Sequence, residues 1–129
     1  MPCRMWPRET WSSGADMVQL TLKLRVSPAC VSDVTLALRA VLLAAQWHRG
    51  WVRAQAYRDL GDPDTLHYVE EWLTCEDAAR EIRSARFGWL LELMEAAAEP
   101  PDLQFQFITE VRGLDYVAEL RGDQHPGTA

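Results

Sequence analysis

The sequence predicts an α+β domain of the ferredoxin-like kind: one four-stranded antiparallel sheet in the order β-α-β-β-α-β, with both helices on one face. Three observations carry this. Val18 to Val26 alternates strictly in polarity, and Leu103 to Phe107 does so again near the other end. Two apolar stripes at helical spacing lie between them. Between the stripes, two β-prone runs flank the turn Leu60-Gly61-Asp62-Pro63-Asp64.

Each element follows from its residues. In the first strand Val18, Leu20, Leu22, Leu24 and Val26 share one face, with Gln19, Thr21, Lys23 and Arg25 on the other, as in a half-buried strand. Ser27-Pro28 ends it and opens a helix. Val34, Leu38, Val41, Leu42 and Ala45 then recur at helical spacing to about Gln46, and Gly50 closes the region. Trp51 to Asp59 reads as the second strand and Leu66 to Leu73 as the third. Thr74, with Asp77 three residues on, is a capping-box-like helix start. The helical pattern runs through Ile82, Leu90 and Met94 with a break at Ser84, and Glu99-Pro100-Pro101 must stop it. Leu103, Phe105 and Phe107 alternate with glutamines in a fourth strand. Arg112 to Arg121 is apolar enough to pack somewhere. Residues 1–16 and 122–129 lack periodicity and read as disordered extensions of a domain spanning 17–121, with Trp6 and Trp11 docking on the domain or a partner as the rival reading.

Composition narrows the function. The net charge of −6 argues against a nucleic-acid surface, which needs a basic stripe. The third strand, acidic and without glycine, also lacks the basic-aromatic pattern of RNA-binding domains of this topology. Three scattered cysteines without a CxxC pair argue against a zinc or other metal site and a disulfide framework, and fit a reducing cytoplasm. The longest apolar run, Ala40 to Ala45, is too short to span a membrane, and the N-terminus is not a secretory signal.

Three pieces of sequence, in this order and spacing, resemble the antibiotic-biosynthesis-monooxygenase (ABM) family of dimeric α/β barrels. They are Gly50-Trp51 through Tyr57-Arg58-Asp59; Asp62-Pro63 followed by Tyr68-Val69-Glu70-Glu71-Trp72; and Glu76-Asp77 through Ser84 and Phe87. The likeness covers Met17 to about Leu120. It implies a homodimer whose sheets pack face to face, and a cavity in each subunit between sheet and helices. It also implies oxidation of a small aromatic or quinol substrate without a resident metal, flavin or haem. The substrate is deprotonated and passes electrons to oxygen, while the protein supplies a dry cavity and a base. The chain departs from the pattern in two places. It contains no asparagine, which the aromatic-oxidising and haem-degrading relatives use. Glu81 stands where many relatives place a histidine of the second helix.

Candidate site residues follow. Glu70, on one strand face with Tyr68 and Trp72, is a base if buried, or the partner of an arginine such as Arg86 or Arg53. Glu81 is a solvated helix residue, or the polar group in the position of the missing histidine. His67 has the chemistry of a phenol-deprotonating base, but alternation places it opposite Trp72. Trp72 is a cavity wall or plain core, and Tyr68, Tyr57 and Arg86 are hydrogen-bonding groups for a quinol oxygen or packing residues. His48 is a helix C-terminal cation. Cys30 and Cys75 lie near helix starts but lack a histidine nearby in sequence. Two functions follow: a cofactor-independent monooxygenase, or a non-catalytic small-molecule-binding or accessory protein of the same shape.

Overall fold

A computed structural model describes residues 16–122. Its elements are β1 (Met17–Arg25), a turn of 3-10 helix (Pro28–Cys30), α1 (Val31–Ala45), β2 (Trp51–Arg58), β3 (Thr65–Trp72), α2 (Cys75–Ile82), α3 (Ala85–Glu95), β4 (Asp102–Ile108) and α4 (Leu114–Gly122). The sheet order is β2-β3-β1-β4 and every neighbouring pair is antiparallel. β1 and β2 therefore run parallel with β3 inserted between them, which is the split βαβ topology read from the sequence. The extensions expected at 1–16 and 122–129 lie outside the described residues except for Asp16 and Gly122.

Alternation decides the two sheet faces. Val18, Leu20, Leu22 and Leu24 of β1 are buried with Leu66, Tyr68 and Trp72 of β3. Against them pack Val34, Leu38 and Val41 of α1 and Phe87 and Leu90 of α3. The reverse face carries Gln19, Thr21 and Lys23 in register with Glu71, Val69 and His67. There Gln19 Nε2 and Arg53 Nη2 both donate to Glu71 Oε2, at 2.6 and 3.0 Å.

The second helical stripe divides as its sequence dictates. The Thr74 hydroxyl accepts from the Asp77 backbone N–H and caps α2. The break at Ser84 is a second cap: its hydroxyl accepts from the Phe87 N–H and starts α3. Arg112 to Arg121 departs from expectation. It contributes to α4, but none of the helix's residues is buried, and Leu114, Val117 and Leu120 stay exposed.

Two further expectations need correction. The stretch Pro28–Ala45 is long and apolar enough to cross a membrane by length and composition. It nevertheless includes Asp33 and Arg39, and it buries the face of Val34, Leu38, Val41 and Ala45 as a core helix does. Cys75, buried at the start of α2, is disulfide-bonded, whereas Cys30 is a free thiol. The disulfide departs from the expectation drawn from cysteine spacing, and the redox argument for a cytoplasmic setting loses its support.

Gly50 turns the chain from α1 into β2 with φ +84. A Cβ there would sit 2.1 Å from Asp77 Cγ, so both the backbone angle and the space demand glycine. Gly88, inside α3, has nothing within 4 Å of a built Cβ. Urea unfolding should therefore show Gly50→Ala destabilised by about 2 kcal/mol or more, whereas Gly88→Ala is stabilised by up to about 1 kcal/mol. Equal effects at the two positions would refute this account of the turn.

Candidate functional site

The candidate site lies where β3 meets α2 and α3. Glu70 is in the central strand β3, paired with Leu20 of β1 and Ala54 of β2, and its side chain is fully buried on the helical face. An isolated carboxylate there would cost several kcal/mol. Three donors surround it instead. Tyr68 Oη donates to Glu70 Oε2 at 2.5 Å and Trp72 Nε1 donates to Oε1 at 3.0 Å. Arg86 Nη1 forms an ion pair with Oε2 at 2.8 Å. Residues two apart on a strand share a face, so Tyr68 and Trp72 flank Glu70 as a direct result of the sequence.

Glu81, at the end of α2, is the second buried carboxylate, 3% exposed. Arg86 Nε donates to its Oε2, and so does Ser84 Oγ at 3.1 Å. His48 Nδ1 lies 2.6 Å from its Oε1. Ser84 shares that one hydroxyl proton with the Glu81 carbonyl at 2.7 Å, so the residue that separates α2 from α3 also holds the carboxylate.

Arg86 is the hub. Besides both carboxylates it donates to the Val41 carbonyl of α1 at 3.1 Å and approaches Tyr68 Oη at 3.4 Å. Its guanidinium carbon stands 5.9 Å from the centre of the Trp72 ring, within reach of a cation–π attraction. Arg86 Nη2 is buried with no hydrogen-bond partner. Burial pulls the guanidinium pKa down, but the hydrogen bond and charge of Glu70, with the charge of Glu81, outweigh it and raise the pKa. Tyr68 is also raised, by burial first and then by the charge of Glu70, so its phenol stays protonated and acts as a donor rather than a base.

Beside this cluster Val18, Leu20, Ala78, Ile82, Phe87 and Phe105 wall a cleft that Glu70, Trp72 and Glu81 also line. The space is too narrow throughout for a water molecule. The open cavity implied by the family resemblance is therefore closed here, filled by aromatic and aliphatic side chains.

The structure thus brings together five of the seven residues singled out from sequence: Glu70, Glu81, Trp72, Tyr68 and Arg86. It places His67 and Tyr57 elsewhere. They pair across β3 and β2 on the reverse face, where Tyr57 stacks on the imidazole with ring centres 6.2 Å apart. His67 Nε2 there lies 2.8 Å from Asp59 Oδ1, and that hydrogen bond is the main reason the Asp59 carboxyl lies below its usual range. The reason is alternation: odd-numbered residues of β3 point away from Trp72. Of Glu70's two candidate arginines, the partner is Arg86; Arg53 pairs with Glu71 on the reverse face. Glu81 is the buried polar group and not a solvated one. His48 was read as a helix cation, and its contact with Glu81 spans 33 residues of sequence. The signal was its place one turn past the last buried residue of α1, next to the glycine that turns the chain back.

No family model and no curated protein matches the sequence. Solved structures do. A "Putative antibiotic biosynthesis monooxygenase" from Nitrosomonas europaea aligns at 19% identity and TM-score 0.67, covering 80% of this chain and 99% of that one. A conserved protein from Methanosarcina mazei aligns at 19% identity and TM-score 0.67, covering 74% and 95%. A protein of unknown function from Bacteroides thetaiotaomicron, described as a "possible oxidoreductase", aligns at 17% identity and TM-score 0.66, covering 73% and 99%.

Arg86→Met leaves two buried carboxylates without their shared cation. Chemical unfolding should show a loss of about 3–5 kcal/mol, with part recovered in Arg86→Met/Glu70→Gln, because the second change removes one stranded charge. A loss under about 1 kcal/mol would mean the cluster is not holding the fold. The nearly complete coverage of the solved structures, together with the sheet order and helix placement, shows that the chain has the ferredoxin-like fold of the ABM-type proteins.

Proposed function

We propose that the protein is a cofactor-independent monooxygenase of the ABM type acting on a small aromatic or quinol substrate. The observation that carries this reading is the pair of buried carboxylates lining one apolar cleft. An ionised carboxylate offers about four acceptor positions. Glu70 and Glu81 each accept from three donors or ion-pair partners, which leaves one position open on Oε1 in each. A phenolic O–H directed at such a position gives up its proton to a group held dry and immobile. The electron-rich anion then reduces dioxygen, one oxygen atom enters the substrate and the other leaves as water. Trp72, Phe87 and Phe105 suit a flat ring. Glu81 is the better base, because its open oxygen also contacts a partly exposed imidazole. Names borne by proteins of the same fold agree with an oxidative role.

A second reading, a small-molecule-binding or accessory protein without catalysis, is favoured by one observation: the cleft does not admit water in this conformation. Oxygen uptake with a panel of hydroquinones separates the two. The monooxygenase reading expects uptake that falls on the order of a hundredfold or more in Glu81→Gln. Uptake no greater than that of the variant, together with hydroquinone-dependent thermal stabilisation, would establish binding alone.

We also propose a homodimer in which the reverse sheet faces pack together. Support comes from Val69, already 7% exposed, set among the uncharged Thr21, Gln55 and Gln104. Sedimentation equilibrium should give twice 14.7 kDa for the wild type and a monomer for Thr21→Glu, which puts two like charges at the centre of the contact. A monomeric wild type would end this proposal.

A further inference from the structure

His48 sits in the turn after α1 with its backbone held at both ends: its N–H donates to the Ala45 carbonyl at 2.9 Å, and its carbonyl accepts from the Trp51 N–H at 3.3 Å. Its ring is fixed by the 2.6 Å contact from Nδ1 to Glu81 Oε1. One end of this contact is 36% exposed and the other 3%. The contact therefore joins a partly exposed imidazole to the buried cluster.

Charge makes that bond important. Glu70 and Glu81 ionised, with Arg86 between them, sum to −1. A net charge buried without compensation costs several kcal/mol, so the cluster is stable when it holds one more proton. The neighbouring charges lie outside the cluster: Arg83, at the C-cap of α2 two residues past Glu81, is exposed. Asp77 of α2, packed against Gly50, is neutralised by Arg80 of the same helix at 2.8 Å, and Arg49, next in sequence, is exposed. Arg86 of α3 is already counted. The contact between His48 Nδ1 and Glu81 Oε1 is the place left for the extra proton.

We propose that His48 is the proton port of the buried cluster, a positioning residue that acts through Glu81. Its use in turnover rests on the monooxygenase reading; the port itself does not. In turnover the substrate O–H bond breaks, its proton goes to Glu81 Oε1 and its electron pair stays on the substrate oxygen. The imidazolium then releases its Nε2 proton to water. One proton enters the cluster and one leaves, so the cluster keeps its own charge and the only charge added to the cleft is that of the substrate anion.

The full chain, carbon-13 labelled at histidine Cε1 and glutamate Cδ, is titrated by NMR from about pH 5 to about pH 8. The port predicts that His48 and Glu81 signals move in one shared transition, followed by the Trp72 indole N–H, which reports on Glu70. In His48→Asn, which keeps a donor facing Glu81 but carries no titratable proton, the shared transition is lost, and the extra proton falls to a carboxyl of the cluster, whose transition moves to higher pH. A His48 titration that leaves Glu81 and Trp72 unmoved would overturn the port, as would a Glu81 transition whose midpoint is unchanged in His48→Asn. None of these readouts uses turnover, so absence of oxygen uptake in the wild type sinks the monooxygenase reading alone. Where the wild type does consume oxygen with a hydroquinone, His48→Asn should slow it at least about tenfold and added imidazole should restore it. Failure of that rescue would remove the port from the reaction.

Discussion

The bridge from Arg86 to two buried carboxylates is the constraint on which the rest of this structure depends. One guanidinium reaches Glu70 on the central strand, Glu81 at the end of α2 and the Val41 carbonyl on α1, while its own backbone starts α3. Four elements are pinned by one side chain. Such a cluster is weak evidence for stability as such, because the cost of desolvating three charges offsets much of their attraction. Its strength is in geometry: shifting α2 or α3 along the sheet would leave a charge unpaired in a dry interior.

Arg86 also sits against a local preference. It is the second residue of α3, where the helix dipole favours anions. A cation there is unfavourable unless something nearby reverses the sign of the field. Glu81 does so through the Ser84 break, since Ser84 caps α3 with its hydroxyl oxygen and donates its proton to Glu81. Local helix chemistry and the buried cluster are thus coupled through one serine. Sites where a local rule is broken and compensated are where function concentrates.

Most of the architecture was legible because it rests on periodicity. Strict alternation in β1 and β4 set the buried face, and the Asp-Pro turn and the Thr74 and Ser84 caps set the punctuation. The same alternation made Tyr68, Glu70 and Trp72 readable as one group and separated His67 from them. What escaped depends on contacts across long sequence separations. Nothing local ties His48 to Glu81, or marks Glu81 as buried within a short helix that also bears Glu76, Asp77 and Arg80. Space was equally invisible: alternation placed Phe105 in a strand, but not its position beside Phe87 on the wall of the cleft. α4 shows the opposite failure, since Leu114, Val117 and Leu120 stay exposed and apolar content alone did not bury the helix.

The fold alone does not decide the chemistry, and the cluster states the difficulty in physical terms. A carboxylate bound by three donors is a weak base, because every hydrogen bond stabilises the ionised form. The proposed monooxygenase reading therefore requires that a proton reaching Glu81 be matched by one leaving, so that the carboxylate is not asked to hold a charge change alone. It also requires that the cleft widen, and the two requirements converge. Glu81, Ile82, Phe87 and Ala78 all belong to the α2–α3 segment, and that segment is held to the sheet at Glu81 and Arg86. A substrate that enters by displacing Phe87 and Ile82 must move the segment which carries one carboxylate while the other stays fixed in β3. Ring binding and proton transfer are then two descriptions of one displacement of α2 and α3 relative to Glu70.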